Sequence, residues 1–324
     1  MVVRFGKLGL LILCMVQFVS CSKDGSLLQN KEQATPDTQT ISVPKNTPCF
    51  TQGGFADDKG LKSWCWQDVN IPSYTGKKGV ALSNGYLHVD SECYEKQVAI
   101  ENDRIKFSVN PIYPAVNNWC SRDYNMRAEI RTAPWDVRHE LGTEEWFGWS
   151  YTFGDNYIID QNNQWKFFQV HNGVVGQSPQ IGLEIVNATQ FKGHQAGEIY
   201  VTVADESANY NPTGVLPKAG ETINIVVHVV YGDAKIGLLQ VWINDEPVFN
   251  KQVSTIVNSH PWGGNAKWGI YKWPWANSEG VDKSIQQGID RLDTYMGALR
   301  IVTRKPGDSD YLEDAYSLVD PNYR

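Results

Sequence analysis

Period-2 alternation of apolar and polar residues dominates the middle of the chain. It runs through Asn125 to Arg131, Glu145 to Phe153, Gln164 to His171, Ile181 to Asn187, Ile199 to Ala204, Thr222 to Tyr231, Leu238 to Asn244, Lys267 to Trp273 and Tyr295 to Thr303. Alternation of this kind marks strands that bury one face. Turn-forming clusters such as Gly232-Asp233 and Asn244-Asp245-Glu246-Pro247 separate the segments, and no long helical pattern competes with them. Many strands joined by short turns, without alternating helices, predict an all-β antiparallel sandwich, most simply a jelly roll. One curved sheet of such a sandwich offers a concave face to an extended polymer.

The first 47 residues do not follow this pattern. Arg4 and Lys7 precede an apolar run of 12 residues, Leu8 to Val19, too short to span a bilayer as a helix. It reads as a secretory signal. The Val19-Ser20-Cys21 that closes it resembles the lipobox of bacterial lipoproteins, where cleavage precedes a cysteine that then carries lipid. On this reading residues 1–20 are a lipoprotein signal peptide and Cys21 is the lipidation site. The chain is then anchored to the bacterial outer membrane, at the cell surface or the periplasmic face. A soluble exported protein with a chance cysteine is the plainer alternative. Residues 21–47, rich in Gln, Asn, Thr, Ser and Pro, read as a flexible tether. Residues 48–305 show no second linker and no internal repeat, so they form one domain, with 306–324 as a C-terminal tail.

Composition narrows the class. Lys and Arg number 29 against 36 Asp and Glu, a formal charge of −7, which becomes −9 when Arg4 and Lys7 leave with the signal. No nucleic-acid partner working through bulk positive charge is expected. Hydrophobic residues at 41% and charged residues at 20% match a globular chain with a sizeable core. Abundant aromatics suit β structure and also suit a cleft that stacks on sugar rings. Cys14 leaves with the signal, and Cys49, Cys65, Cys93 and Cys120 predict up to two disulfides in an exported chain. Sequence alone allows three pairings of four cysteines; the expectation adopted is Cys49 with Cys65 and Cys93 with Cys120. No C-x-x-C pair suggests zinc, and no EF-hand spacing is present, so no catalytic metal is expected, though the chain is compatible with a structural calcium ion. No nicotinamide, flavin or phosphate-binding motif appears, and no organic cofactor is expected.

Three segments carry candidate chemistry. In Asn125 to Arg131, alternation sets Arg127, Glu129 and Arg131 on one face and Met126, Ala128 and Ile130 on the other; a solvated cross-strand salt-bridge ladder would explain this segment by itself. In Trp165 to His171, Gln169 and His171 share a face. A lone strand histidine is ordinarily structural, but an amide beside an imidazole suits contact with a carboxylate and handling of a proton. In Ala266 to Trp273, Lys267, Gly269 and Tyr271 share a face while Trp268 and Ile270 point away. The glycine reads as room for a ligand to approach the backbone, or as part of a sheet rim with a packed tyrosine and a solvated lysine. His194, in a turn-like segment, and His228, in a strand, are further cleft candidates with plain structural explanations. Trp262, Trp273 and Trp275 read equally as a stacking platform or as packing.

Taken together, Arg-Ala-Glu-Ile-Arg, Gln-Val-His and Lys-Trp-Gly-Ile-Tyr-Lys, in this order, resemble the jelly-roll polysaccharide lyases, most closely the group of heparin lyase I, the glucuronan lyases and some ulvan lyases. The resemblance implies a concanavalin-like sandwich with a concave substrate sheet and an endo-acting β-elimination on a uronic-acid polymer. It implies His171 as general base, Tyr271 as general acid or acid/base, and Gln169 as a binder of the uronate carboxylate. Arg127, Arg131, Lys267 and Lys272 are expected to bind the acidic substrate, Lys272 standing where arginine is usual. The basic polyanion-binding insert of heparin lyase I is missing from this sequence. Elimination removes the C5 proton of a uronate and expels O4, which requires the carboxylate to be neutralised as the enolate develops. Where C5–H and O4 share a ring face, as in glucuronate and mannuronate, one tyrosine can serve both steps; in iduronate and guluronate a base must stand opposite.

The resemblance favours glucuronan or ulvan over alginate or heparin-like chains, acted on by a monomer. Two rivals stand beside it. A glycoside hydrolase of the same fold would need two carboxylates about 5–9 Å apart, for which Glu129 and Glu184 are the nearest candidates. A non-catalytic glycan-binding lipoprotein would use the same concave sheet without needing His171 or Tyr271.

Overall fold

The computed structural model describes residues 55–322 apart from 57–59, 67–70, 72–79, 83–84, 93–96, 113–123, 189–194 and 205–207. The signal and tether, Cys21, Cys49, Cys93, Cys120 and His194 lie outside the described residues. Cys65 is disulfide-bonded.

Strands pair antiparallel in two sheets. The nine-stranded sheet runs β1 (Phe55–Ala56), β2 (Leu61–Trp64), β17 (Leu292–Arg304), β8 (Glu144–Phe153), β13 (Thr222–Val230), β14 (Leu238–Ile243) and β15 (Glu246–Gln252). On β17 it also carries β6 (Arg104–Val109), which pairs with β5 (Val98–Glu101). The eight-stranded sheet runs β12 (Ala208–Pro212), β11 (Ile199–Ala204), β10 (Ile181–Ile185), β9 (Trp165–His171), β16 (Asn265–Tyr271), β7 (Arg127–Thr132), β4 (Leu87–Ser91) and β3 (Val80–Leu82). This is the antiparallel jelly-roll sandwich that the alternation predicts.

The inner faces interlock through aromatic side chains. Phe147, Trp149, Tyr151 and Phe153 occupy every second position of β8 and are fully buried. Trp149 meets Phe168 of the facing sheet at 5.0 Å and Trp268 edge-on at 6.2 Å. Each such ring contributes about 1.5–3 kcal/mol through burial, so the sheets cannot slide without losing the core.

One irregularity shapes the site. Phe167 of β9 is an extra residue: Phe168 faces Leu183 and Lys166 faces Glu184, leaving Phe167 without a counterpart on β10. Across β16 the same residue stands against Gly269 and Ile270. A bulge of this kind bends the strand and reverses its alternation. Phe167 and Phe168 therefore both enter the core, and Lys166 turns to the same face as Gln169 and His171. Tyr151 ties the sheets together here, its Oη 2.7 Å from the Gly269 carbonyl and 2.8 Å from the Thr294 hydroxyl.

The described part of the expected C-terminal tail 306–324, residues 306–322, packs against the outer face of the nine-stranded sheet. Ala315, Leu318 and Val319 bury Leu61, Trp146, Val226 and Val302, and Leu312 N–H donates to Glu144 at 2.9 Å. Gly148 makes this possible, because a Cβ there would lie 1.9 Å from the Val319 carbonyl oxygen.

Candidate active site

Register brings the polar residues of four neighbouring strands together. On β16, Lys267 stands opposite Arg131, Gly269 opposite Glu129 and Tyr271 opposite Arg127 of β7. Lys267 also faces Gln169 of β9, and Asp90 of β4 faces Glu129.

Asp90 is the electrostatic hub. Its Oδ2 lies 3.0 Å from Lys267 Nζ and 3.2 Å from Arg127 Nη1. Burial alone would push its carboxyl up, but Lys267 and Arg127 outweigh that effect and hold it well below the usual carboxylate range. Glu129 goes the other way: it is deeply buried, and desolvation raises its pKa more than Lys267 and Arg127 lower it. It accepts from Gln169 Nε2 at 2.6 Å and lies 3.5 Å from Arg127 Nε. Burial lowers the pKa of Lys267 against the opposing pull of Glu129 and Asp90. Arg131 Nη2 contacts His88 Nδ1 at 3.2 Å.

The indole of Trp135 roofs this group. Its ring centroid is 4.3 Å from Lys267 Nζ and 5.7 Å from the Arg131 guanidinium, and it stacks on His171 at 4.7 Å. Cations over an indole are stabilised by its ring quadrupole.

Both nitrogens of His171 are engaged by the backbone. Gly173 N–H donates to Nδ1 at 3.0 Å, so the proton sits on Nε2, which donates to the Gln177 carbonyl at 3.0 Å. Burial and the Lys267 charge lower its pKa to about 4, leaving the ring neutral at ordinary pH.

Tyr271 is held differently. It is partly exposed, with the Arg127 guanidinium 4.3 Å over its ring and Trp273 at 5.6 Å. It forms one wall of a cavity of about 340 Å³ shared with Lys166, Thr202, Tyr210 and Trp273. A phenol with a cation over its face, next to a binding cavity and a row of amide and cationic groups, is equipped to move a proton beside a carboxylate.

The structure therefore gathers Arg127, Arg131, Gln169, Lys267, His171 and Tyr271 on one face. It does not place Lys272 there. The side chain after Tyr271 points to the opposite side of the strand, where it is 1% exposed and pairs with Asp160 at 2.9 Å. Burial lowers its pKa, and Asp160 opposes that effect. Gly269 is also corrected. Its φ is +133°, and a Cβ would lie 2.1 Å from the Ala128 carbonyl oxygen, so the strand itself requires glycine there. His228 belongs to the other sheet, 2.9 Å from Glu144 and stacked on Trp146. Trp275 is core, while Trp273 lines the cavity. Among the described residues no group of three or more His, Cys, Asp or Glu is arranged to hold a metal ion.

Asp90, Trp135 and Lys166 are the site residues that sequence reasoning missed. Asp90 lies in the alternating Leu87-His88-Val89-Asp90, a weak signal. Trp135 lies in a loop with no pattern, and strict alternation through Trp165 to His171 would turn Lys166 away from Gln169 and His171.

The family profile described as polysaccharide lyase matches residues 58–290. The chain belongs to that family and is a polysaccharide lyase. Among solved structures it is similar to an endo-β-1,4-glucuronan lyase from the fungus Trichoderma reesei, at 12% identity over 84% of this chain and 98% of that one, with a TM-score of 0.47. It is similar also to the alginate lyase Aly36B, solved with an alginate trisaccharide, at 12% identity over 76% and 99% of the two chains, TM-score 0.49. A family 18 polysaccharide lyase gives 16% identity over 67% and 95%, TM-score 0.46. Comparison with curated proteins finds no match.

Proposed function

We propose that this lyase cleaves a glucuronate-containing polysaccharide internally by β-elimination, with Tyr271 as both base and acid. The observation that carries this reading is the engagement of both His171 nitrogens by Gly173 and Gln177, which leaves the partly exposed Tyr271 as the free proton-transfer group among the described residues. Gln169, Arg127 and Lys267 neutralise the uronate carboxylate. Deprotonated Tyr271 takes the C5 proton, the C5–H electron pair forms the C4=C5 double bond, and the C4–O4 bond breaks. Tyr271 returns the proton to O4. The Arg127 guanidinium lies 4.3 Å from the ring centroid, a cation held next to the group that cycles the proton. One residue on one ring face suits glucuronate, where C5–H and O4 are on the same side. His171 serves as a neutral wall that fixes the floor beside Gln169. No redox change occurs, so the reaction needs no organic cofactor.

The test offers purified protein glucuronan, ulvan, hyaluronan, heparan sulfate and alginate separately and follows the ultraviolet absorbance of the unsaturated uronate. Absorbance rising early, with products of intermediate length, supports internal elimination. New reducing ends without that absorbance would sink it in favour of hydrolysis. The lipobox-like Val19-Ser20-Cys21 supports outer-membrane anchoring through Cys21; fatty-acid labelling that persists in Cys21→Ala would refute it.

A further inference from the structure

The cavity beyond Tyr271 is set apart from the rest of the cleft by charge. Around the carboxylate-binding group, Arg127, Arg131 and Lys267 stand against Asp90 and Glu129. Around the cavity the one cation among the described lining residues is Lys166. Its ammonium is in close contact with Glu184, whose side chain is fully buried, and lies 5.3 Å over the Trp273 ring. Only 10% of the Lys166 side chain is exposed. The remaining described lining is Gln164, Gln177, Ser178, Thr202 and the rings of Tyr210, Tyr271 and Trp273, with Pro179. Amide and hydroxyl groups beside aromatic walls, with no free charge among the described residues, form the pattern of a site for an uncharged polar ring.

Resting on the elimination reading above, we infer that this cavity is the subsite for the sugar next to the reacting uronate, and that it selects a sugar without a carboxylate or sulfate. Among the described residues a second carboxylate there would meet no unpaired cation, and it would approach the Lys166–Glu184 pair at a desolvation cost. Tyr271 forms the boundary between the two subsites, so the scissile bond lies at the change from charged to uncharged sugar. The preferred polymer then alternates glucuronate with a neutral sugar, which places such chains ahead of the homopolymer glucuronan.

Two polymers isolate the neighbour. Hyaluronan presents glucuronate beside uncharged N-acetylglucosamine, and glucuronan presents the same uronate beside another uronate. The expected result is a kcat/KM at least about tenfold higher on hyaluronan, with the ratio falling in Glu184→Gln as the Lys166 charge becomes available to a second carboxylate. Equal or faster cleavage of glucuronan by the unmodified protein overturns the subsite while leaving elimination intact, and that comparison needs no variant to fold. An unchanged ratio in folded Glu184→Gln also overturns it. No unsaturated product from any polymer of the panel overturns the elimination reading, and the subsite with it.

Discussion

Asp90 and Lys267, 177 positions apart in sequence, meet at 3.0 Å in the floor of the cleft. With Arg127 as second partner, Asp90 fixes two of the cations proposed to bind the substrate carboxylate. Asp90→Asn keeps the shape and removes the charge, so it should destabilise the fold by about 3 kcal/mol. The carboxyl is depressed in the folded state, so its contribution is present above the ordinary carboxylate range and lost as pH falls below it. Urea denaturation at neutral and strongly acidic pH checks this: the gap between the two proteins should close in acid, and a constant gap would contradict the account.

His171 gives a second pH signature in a different window. Its folded pKa of about 4 lies below the ordinary histidine value of 6.5. The unfolded chain takes up a proton first, so stability falls as pH drops from about 6.5 to about 4. His171→Gln should lose less stability than the unmodified protein between pH 7.5 and pH 4.5 (about the two edges of that window). Parallel losses would show that burial does not hold this ring neutral.

Trp135→Ala removes the roof over Lys267, Arg131 and His171. With each cation–ring contact worth about 0.5–2 kcal/mol, KM should rise by about fivefold or more while kcat changes less. Steady-state kinetics on the best polymer provides the check; an unchanged KM would make Trp135 packing alone.

Gly269→Ala should destabilise by about 2–4 kcal/mol, because its Cβ would collide with the Ala128 carbonyl in a left-handed conformation. Thermal melting tests this. A stable Gly269→Ala protein with lost activity would restore the view that the glycine makes room for substrate.

The elements that sequence made legible are those with strict alternation. Each of the nine segments contains a strand, because the apolar face turned to the core leaves a local signal that survives in a single chain. The short strands β1 to β5 and β12 lack enough repeats to be seen; β6 and β15, of six and seven residues, were also missed, β6 although it alternates along its whole length. Within the site, Arg127, Gln169, Lys267, His171 and Tyr271 could be grouped because alternation and motif order agreed. Lys166 escaped because the bulge at Phe167 breaks the period, and Lys272, one residue past β16, was drawn into the site by the motif resemblance. Asp90 and Trp135 were invisible for another reason: their importance comes from long-range pairing, which no local pattern encodes.

In the proposed reaction Tyr271 carries the proton transfer. The most direct measurement compares initial rates of unsaturated-uronate formation by Tyr271→Phe and unmodified protein, with polymer binding measured in parallel by calorimetry. The expected result is a loss of about 10²–10⁴-fold in rate with binding retained. A Tyr271→Phe protein that eliminates at near the original rate would contradict it and return the base to His171.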